Sequence, residues 1–159
     1  MSSNVSSDLV WAITRNNSSY IVKRGPIKDQ IIFTREPLSL TNQHTRKHSG
    51  LVNEKAVGVQ AGESGNVVLI TKRNAEKHGN KPASLYNITT FNKHKSNRKI
   101  YSAIASAVAK KSYRADLRQA AVARASAIKR SQKPVKATPE SKPRGVKAKK
   151  AAEGGVSSA

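Results

Sequence analysis

The stretch that decides the fold lies near the carboxyl end of the chain, where residues 113–135 read YRADLRQAAVARASAIKRSQKPV. A helix is predicted here over residues 115–132. On a helical wheel of about 100° per residue, an arc of roughly 100° carries four apolar residues and one arginine: Leu117, Ala120, Ala121, Arg124 and Ile128. We expect the helix to pack on the rest of the molecule by this arc.

The cations of the same helix form a second pattern. Arg114, Arg118 and Lys129 fall in an adjacent arc of roughly 60° on the same wheel. Three cations in a line can follow a phosphate backbone, so this arc is predicted to face nucleic acid. Arg124 lies within the apolar arc, and we expect its stem to cover the core while its guanidinium reaches RNA.

A second helix is predicted upstream, from about residue 98. A narrow apolar stripe recurs there every four residues, at Ile100, Ile104 and Val108. Many of the remaining positions are alanine, the best helix former. Lys110 and Lys111 stand at its end, where cations complement the helix dipole.

The first part of the chain has the pattern of a small sheet. Strands are predicted at 20–22, 31–33, 55–60, 67–72 and 84–91, with hairpin linkers at 25–29 and 61–66. Residues 35–50 are polar and irregular and are predicted to form a long loop. Ser6, Ser7 and Asp8 are good helix caps, which favours a short helix at about 7–15, with a strand as the alternative.

The predicted fold class is therefore α+β: a small antiparallel sheet with a short amino-terminal helix, followed by two helices and a disordered basic tail. The tail begins after Gln132 and is rich in Lys, Ala and Pro, with too few large apolar residues to fold alone. We divide the chain into an α+β domain (1–92), a basic helical RNA-binding segment (93–133) and the tail (134–159).

The charge is large and unevenly spread. The net charge of the 159 residues is +21, of which residues 90–159 contribute +15, from 18 Lys or Arg and 3 Asp or Glu. Such an excess implies a polyanionic partner: nucleic acid, an anionic membrane surface or an acidic protein. The chain lacks cysteine, which excludes disulfides and thiolate metal sites. It shows neither a signal peptide nor an apolar run of about 18 residues, so we expect a cytosolic or nuclear protein.

No motif predicts catalysis or a cofactor. His44 and His48 have the spacing of a metal pair, but no carboxylate or cysteine completes a site, so a basic loop is the preferred interpretation and no metal is predicted. Gly62 and Gly65 have the spacing of a KH-domain clamp, yet the flanking valine strands favour a hairpin turn.

The aromatic residues fall into two groups. Trp11, Tyr20, Phe33 and Tyr86 lie in apolar segments, and we interpret them as core residues rather than as base-stacking platforms. Tyr101 and Tyr113 lie near the cations of the helical part, which makes them the better candidates for stacking on bases.

Residues 113–135 resemble the L-twenty-eight-e family of eukaryotic large-subunit ribosomal proteins. Four shorter pieces support this in the family's order: SSYIVKR at 18–24, KAVGVQ at 55–60, VVLITKR at 67–73 and KPASLYNITTFNK at 81–93. The resemblance covers about residues 8–135 and departs from the family at Ala115, where a proline is expected at the helix start. It implies a surface component of the cytosolic large subunit that contacts ribosomal RNA and neighbouring ribosomal proteins, without catalysis, a membrane or a small-molecule substrate.

The predicted RNA-binding residues are the cations of the helical segment, one tyrosine and two cations of the loop: Arg98, Lys99, Lys110, Lys111, Tyr113, Arg114, Arg118, Arg124, Lys129, Arg130, Lys133, Arg46 and Lys47. We expect the protein on cytoplasmic ribosomes, after passage through the nucleolus during assembly. The alternative is a linker-histone-like DNA-binding protein of chromatin, whose basic tail has the same chemistry. The predicted strands before the helices disfavour it, and an RNA-modifying enzyme would need a cofactor or metal motif.

Overall fold

The computed structural model describes residues 5–26, 30–74, 78–110, 112–139, 144–146 and 148–150. Its strands are β1 (Ile21–Arg24), β2 (Ile31–Thr34), β3 (Val57–Ala61), β4 (Val67–Lys72) and β5 (Tyr86–Phe91). Its helices are α1 (Ser7–Thr14), α2 (Asn97–Ala105) and α3 (Arg118–Ser131), with a π-helical segment (Ser106–Lys110) directly after α2 and a 3-10 turn (Ala115–Leu117) directly before α3. The α+β prediction is confirmed.

The strands form two antiparallel sheets rather than one. β1 and β2 pair as a hairpin with Ile21 opposite Thr34, and β3, β4 and β5 form a meander in that order. The glycine pair lies in the turn between β3 and β4, as predicted. Gly65 adopts a φ of 81° there, a conformation that suits a residue without a Cβ atom. β5 pairs only with β4 in the described part of the chain, so its other edge is open.

The predicted helix at about 7–15 is present as α1. Ser6 caps it by accepting a hydrogen bond from the amide of Leu9 at 3.2 Å. The helix is held against the long loop by Arg46, which donates to the carboxylate of Asp8, and by His44, whose Nε2 donates to the carbonyl of Arg15 at 2.8 Å. Polar contacts therefore dock α1, and none of its residues is buried.

The two predicted helices form a hairpin that packs on the three-stranded sheet. The apolar stripe of the helix predicted from residue 98 runs through α2 into the π-helical segment. Ile100, Ile104 and Val108 are all fully buried. The helix predicted at 115–132 begins with a 3-10 turn at Ala115, the position without the expected proline, and then becomes α-helical as α3. The periodicity thus predicted both helices. It did not predict the π-helical segment and the 3-10 turn on either side of the link between them.

One hydrophobic core joins the helices to the sheet. The sheet contributes Val57, Val59, Val67, Leu69 and Phe91. The helical hairpin contributes Ile100, Ile104, Val108, Leu117, Ala121, Ala125 and Ile128. Each large aliphatic side chain buried here stabilises the fold by about 1.5–3 kcal/mol. The hairpin is therefore fixed to the sheet rather than appended to it.

The loop at 35–50 is irregular, as predicted, but it is packed more tightly than its polarity suggests. Leu38 and Leu40 are buried, and Leu38 lies against Gly58 so closely that a Cβ atom there would be 2.8 Å from Leu38 Cδ2. Glu36 is buried too, and its carboxylate accepts hydrogen bonds from the hydroxyl of Ser49 at 3.0 Å and the amide of Gly50 at 2.8 Å. This buried carboxylate organises the loop.

The prediction that four aromatic residues belong to the core is wrong. Tyr20 and Tyr86 are exposed, while Trp11 and Phe33 are only half-buried. They lie on α1, around the two-stranded sheet and on the outer face of β5, and no second layer covers these elements in the described residues. Local apolar sequence indicated secondary structure here but not which face would be covered.

The tail is described only in part. Residues 134–139 form neither helix nor strand and are all exposed. Further on, the amides of Ala148 and Lys149 donate to the carbonyl of Gly145 at 3.1 and 3.2 Å, which makes an isolated helical turn. The rest of the predicted disordered tail, at 140–143, 147 and 151–159, lies outside the described residues.

Candidate nucleic-acid interface

Six of the predicted cations are exposed on the helical hairpin and its end, and we call them the outer cations: Arg98, Lys99, Lys110, Arg118, Arg130 and Lys133. The two ion pairs in the described part of the chain involve none of them. Asp116 is the one acidic residue in 93–139. The outer cations therefore produce a positive potential that no ion pair of the described residues cancels.

Lys129 does not belong to this exposed set. It is 8% exposed, and its Nζ donates to the carbonyls of Gly65 at 3.3 Å and Lys93 at 3.4 Å. The side chain thereby ties the end of α3 to the β3–β4 turn. The wheel placed Lys129 beside Arg118 on the helix, but the turn covers that part of α3, so the prediction of three exposed cations in one line is wrong.

Arg114 is also engaged within the protein. Its guanidinium forms a bidentate pair with Asp116, at 2.9 Å from Nε and 2.8 Å from one terminal nitrogen. It also donates to the carbonyls of Lys55 at 2.9 Å and Lys47 at 3.1 Å. The hydrogen bonds of this pair raise the pKa of Arg114 and lower the pKa of Asp116. Arg114 thus joins the start of the second helix to the loop.

Tyr113 is a third anchor of the helical hairpin. Its hydroxyl donates to the carbonyl of Lys72 and lies 3.3 Å from the carbonyl of Ala56, while its ring packs on the core. Burial raises the pKa of Tyr113. Tyr101 packs against the same core, so the difference lies in the hydroxyl of Tyr113, which is bonded within the protein. Tyr101 is therefore the better stacking candidate.

The remaining predicted residues are dispersed. Arg46 pairs with Asp8, whereas Lys47 is exposed on the same 3-10 turn. Arg124 is half-buried, and its buried Nε has no hydrogen-bond partner among the described residues. Lys111 lies outside the described residues.

The two histidines that have metal-pair spacing are engaged separately. Nε2 of His44 contacts the carbonyl of Arg15, and its ring lies 5.0 Å from that of Trp11. Nδ1 of His48 is 2.8 Å from the hydroxyl of Thr45. Burial and the neighbouring Lys47 and Arg114 lower the pKa of His48. The arrangement holds α1 and the loop in place.

Lys72 is a structural cation that the sequence did not single out. Its Nζ donates to the carbonyls of Gly50 at 3.2 Å and Asn53 at 3.0 Å, and burial lowers its pKa. Glu36 lies in the same region and interacts with its charge. An isolated acid in the loop and a lysine in β4 gave no sequence signal of this proximity, because 35 other residues separate them along the chain.

Two features of the described residues bear on other functions. Among them, no helix combines the length and the apolar character needed to cross a membrane. Nor do the described ranges contain a group of three or more His, Asp or Glu side chains placed to hold a metal ion.

The sequence matches that of a known protein family. Residues 9–131 match the model of the Ribosomal L28e protein family. A fission yeast protein (Schizosaccharomyces pombe) named large ribosomal subunit protein eL28 is 46% identical over 132 residues, which is 83% of this chain and 96% of that relative.

Two more distant relatives carry the same name. The protein of Trypanosoma cruzi is 35% identical over 81 residues, which is 51% of this chain and 51% of the relative. The protein of Caenorhabditis elegans is 35% identical over 89 residues, which is 56% of this chain and 65% of the relative. The family match covers both the sheet and the helical hairpin, and with it the resemblance seen in the sequence is confirmed: this chain belongs to the Ribosomal L28e protein family.

Proposed function

We propose that this protein is a structural constituent of the cytosolic large ribosomal subunit and that it binds ribosomal RNA through its helical hairpin and basic extensions, without catalysing a reaction. The observation that carries the proposal is the set of six outer cations, which are exposed and take part in no ion pair of the described residues. The chain belongs to a ribosomal protein family, so the matching polyanion is ribosomal RNA.

The binding would be dominated by phosphate contacts. Lysine and arginine side chains on phosphates release condensed counterions, and this term depends on charge rather than on base sequence. Arginine adds a planar fork of donors that matches phosphate oxygens, so Arg98, Arg118 and Arg130 should fix the register of the hairpin on the RNA.

The rest of the domain would hold this surface rigid. Tyr113 connects the hairpin to a backbone carbonyl of β4, Arg114 connects it to a carbonyl of the loop, and Lys129 connects it to carbonyls of the β3–β4 turn and of the loop after β5. A surface that is ordered before binding loses less conformational entropy on its partner. We propose that residues 1–92 serve as this scaffold and contact neighbouring ribosomal proteins, while residues 134–159 order on RNA.

Charge reversal tests the proposal. Replacing Arg98, Arg118 and Arg130 with Glu should strongly weaken binding to large-subunit RNA and incorporation into the subunit, as measured by filter binding and sucrose-gradient co-sedimentation. The matched control reverses Arg24, Arg35 and Arg73, three exposed arginines of the sheet region, and changes the net charge equally. Equal losses for the two variants would show that charge alone, not this surface, determines binding.

The chromatin alternative is addressed in cells. A tagged protein should sediment with large subunits at low salt, appear in the nucleolus before the cytoplasm after a pulse of synthesis, and be absent from nuclease-released chromatin. Recovery with nucleosomes instead would support the linker-histone-like function.

A further inference from the structure

A groove runs along the helical hairpin on the side away from the sheet. It is an open concavity of about 990 Å³ between α2 with its π-helical segment and α3. Tyr101 and Val122 form its half-buried floor together with two alanines, while Ser106, Lys110, Arg118 and Gln119 stand exposed around it. The sheet-facing sides of both helices fill the core, and Tyr101 both packs against that core and lines the groove.

The groove exists because small residues line it where two helices would otherwise close. Three of its ten lining residues are alanine and two are serine. The π-helical segment Ser106–Lys110 contributes to its wall. Such segments interrupt the regular hydrogen-bond ladder and occur frequently at functional sites.

The chemistry of the groove combines an aromatic floor, amide and hydroxyl groups, and two cations. Lys110 and Arg118 belong to the outer cations, and no acidic residue is among the described residues that line the groove. A purely apolar peptide would leave these cations and polar groups without partners. A nucleotide carries a flat aromatic base, hydrogen-bonding edges and a negative phosphate, which match all three features.

We propose that the groove receives one or two unstacked nucleotides of ribosomal RNA. The base stacks on the ring of Tyr101, Gln119 and Ser106 bond to base edges, and Lys110 and Arg118 hold the adjoining phosphates. Ligand pockets of roughly 300–1,000 Å³ hold drug-sized molecules, so the space suffices. The inference rests on the proposed RNA-binding function and adds that a single-stranded loop or bulge, not only a duplex, is recognised.

The test compares two RNA probes on the full-length protein: a short single-stranded oligoadenylate and an RNA duplex of the same length, each followed by fluorescence anisotropy. Tyr101→Leu keeps an apolar side chain against the core but removes the stacking surface. It should weaken single-strand binding by roughly 5- to 150-fold, the range that loss of one stacked base implies, and leave duplex binding unchanged. Tyr101→Phe should bind both probes as the wild-type protein does.

A second variant keeps the test valid if Tyr101→Leu does not fold. Ala123→Leu fills the groove from an exposed position on α3 and should weaken single-strand binding in the same selective way. Unchanged single-strand binding by the folded variants, or equal loss for both probes, overturns the groove proposal while leaving the proposed function intact. If the wild-type protein binds neither probe at low salt, the proposed function itself fails.

Discussion

Lys129 and Arg118 lie on the same helix and carry the same charge, yet the structure assigns them opposite roles. Lys129→Glu should lower the free energy of unfolding by about 2–3 kcal/mol, because a carboxylate would face the carbonyls of Gly65 and Lys93 and would lie in the last turn of α3, where anions are disfavoured. Arg118→Glu should leave stability nearly unchanged, since an anion suits the first turn.

Among the variants that remain folded, Arg118→Glu should weaken RNA binding more than Lys129→Glu does. Both substitutions change the net charge equally, so each is the control for the other. Urea denaturation and RNA binding, measured side by side, check this prediction. Equal loss of stability in the two variants would contradict the anchoring role of Lys129.

The pair of Arg114 and Asp116 predicts a pH dependence. The hydrogen bonds from Arg114 lower the pKa of Asp116 below its ordinary value of 3.8, so the pair stabilises the folded protein above that pH and loses its effect as the pH falls through the lowered value. Asp116→Asn should therefore cost about 1 kcal/mol or less at pH 7, given the partly exposed carboxylate, and the cost should shrink as the pH falls below 3.8. Thermal melts of both proteins across this range measure the difference.

Sequence could not place these side chains because their partners are distant in the chain. The wheel located Lys129 correctly on α3, but the turn that buries it comes from 62–66. Glu36 read as part of a polar loop, although the amides of residues 50 and 51 converge on its carboxylate. The exposed cations of the hairpin could be predicted as RNA-binding candidates, because a side chain that faces solvent requires no contact with a distant part of the chain.

Between elements, the loop at 35–50 packs closely against β3. Gly58→Ala should lower stability by about 1–3 kcal/mol, because the new Cβ would lie 2.8 Å from Leu38 Cδ2 and 3.1 Å from the carbonyl of Pro37. In a Leu38→Ala background the side-chain clash is gone, so the additional cost of Gly58→Ala should be smaller. A double-mutant cycle by urea denaturation measures this coupling, and strict additivity would contradict direct contact.

The elements themselves were largely predictable. Alternation and turn residues gave all five strands, and a four-residue apolar repeat gave α2 and its continuation. The partition into two sheets was not predictable, because pairing partners are chosen by the tertiary fold rather than by local propensity. For the same reason, Tyr86 lies in the expected strand but on an uncovered face, and Tyr20, predicted within a strand, lies exposed one residue before β1.

Charge is the dominant property of the whole molecule. If the six outer cations neutralise about six phosphates, affinity for RNA should fall by roughly a thousandfold between about 50 and 200 mM salt. The variant with Arg98, Arg118 and Arg130 changed to Glu should show a shallower slope, whereas the Arg24, Arg35 and Arg73 variant should retain it. Affinities measured along a salt series test this, and a flat response of the wild-type protein would contradict it.

The open edge of β5 matters before the protein reaches its subunit. Residues 86–91 read YNITTF, without a charge or a proline, and Ile88 within this strand is 63% exposed. Natural proteins usually guard such an edge with lysine, proline or a bulge, because an unguarded strand can pair with another copy. The risk of such self-association is therefore greatest between synthesis of the protein and its assembly with a partner. Molecules made in excess of their subunits should self-associate with a steep dependence on concentration, which light scattering of the free protein would reveal.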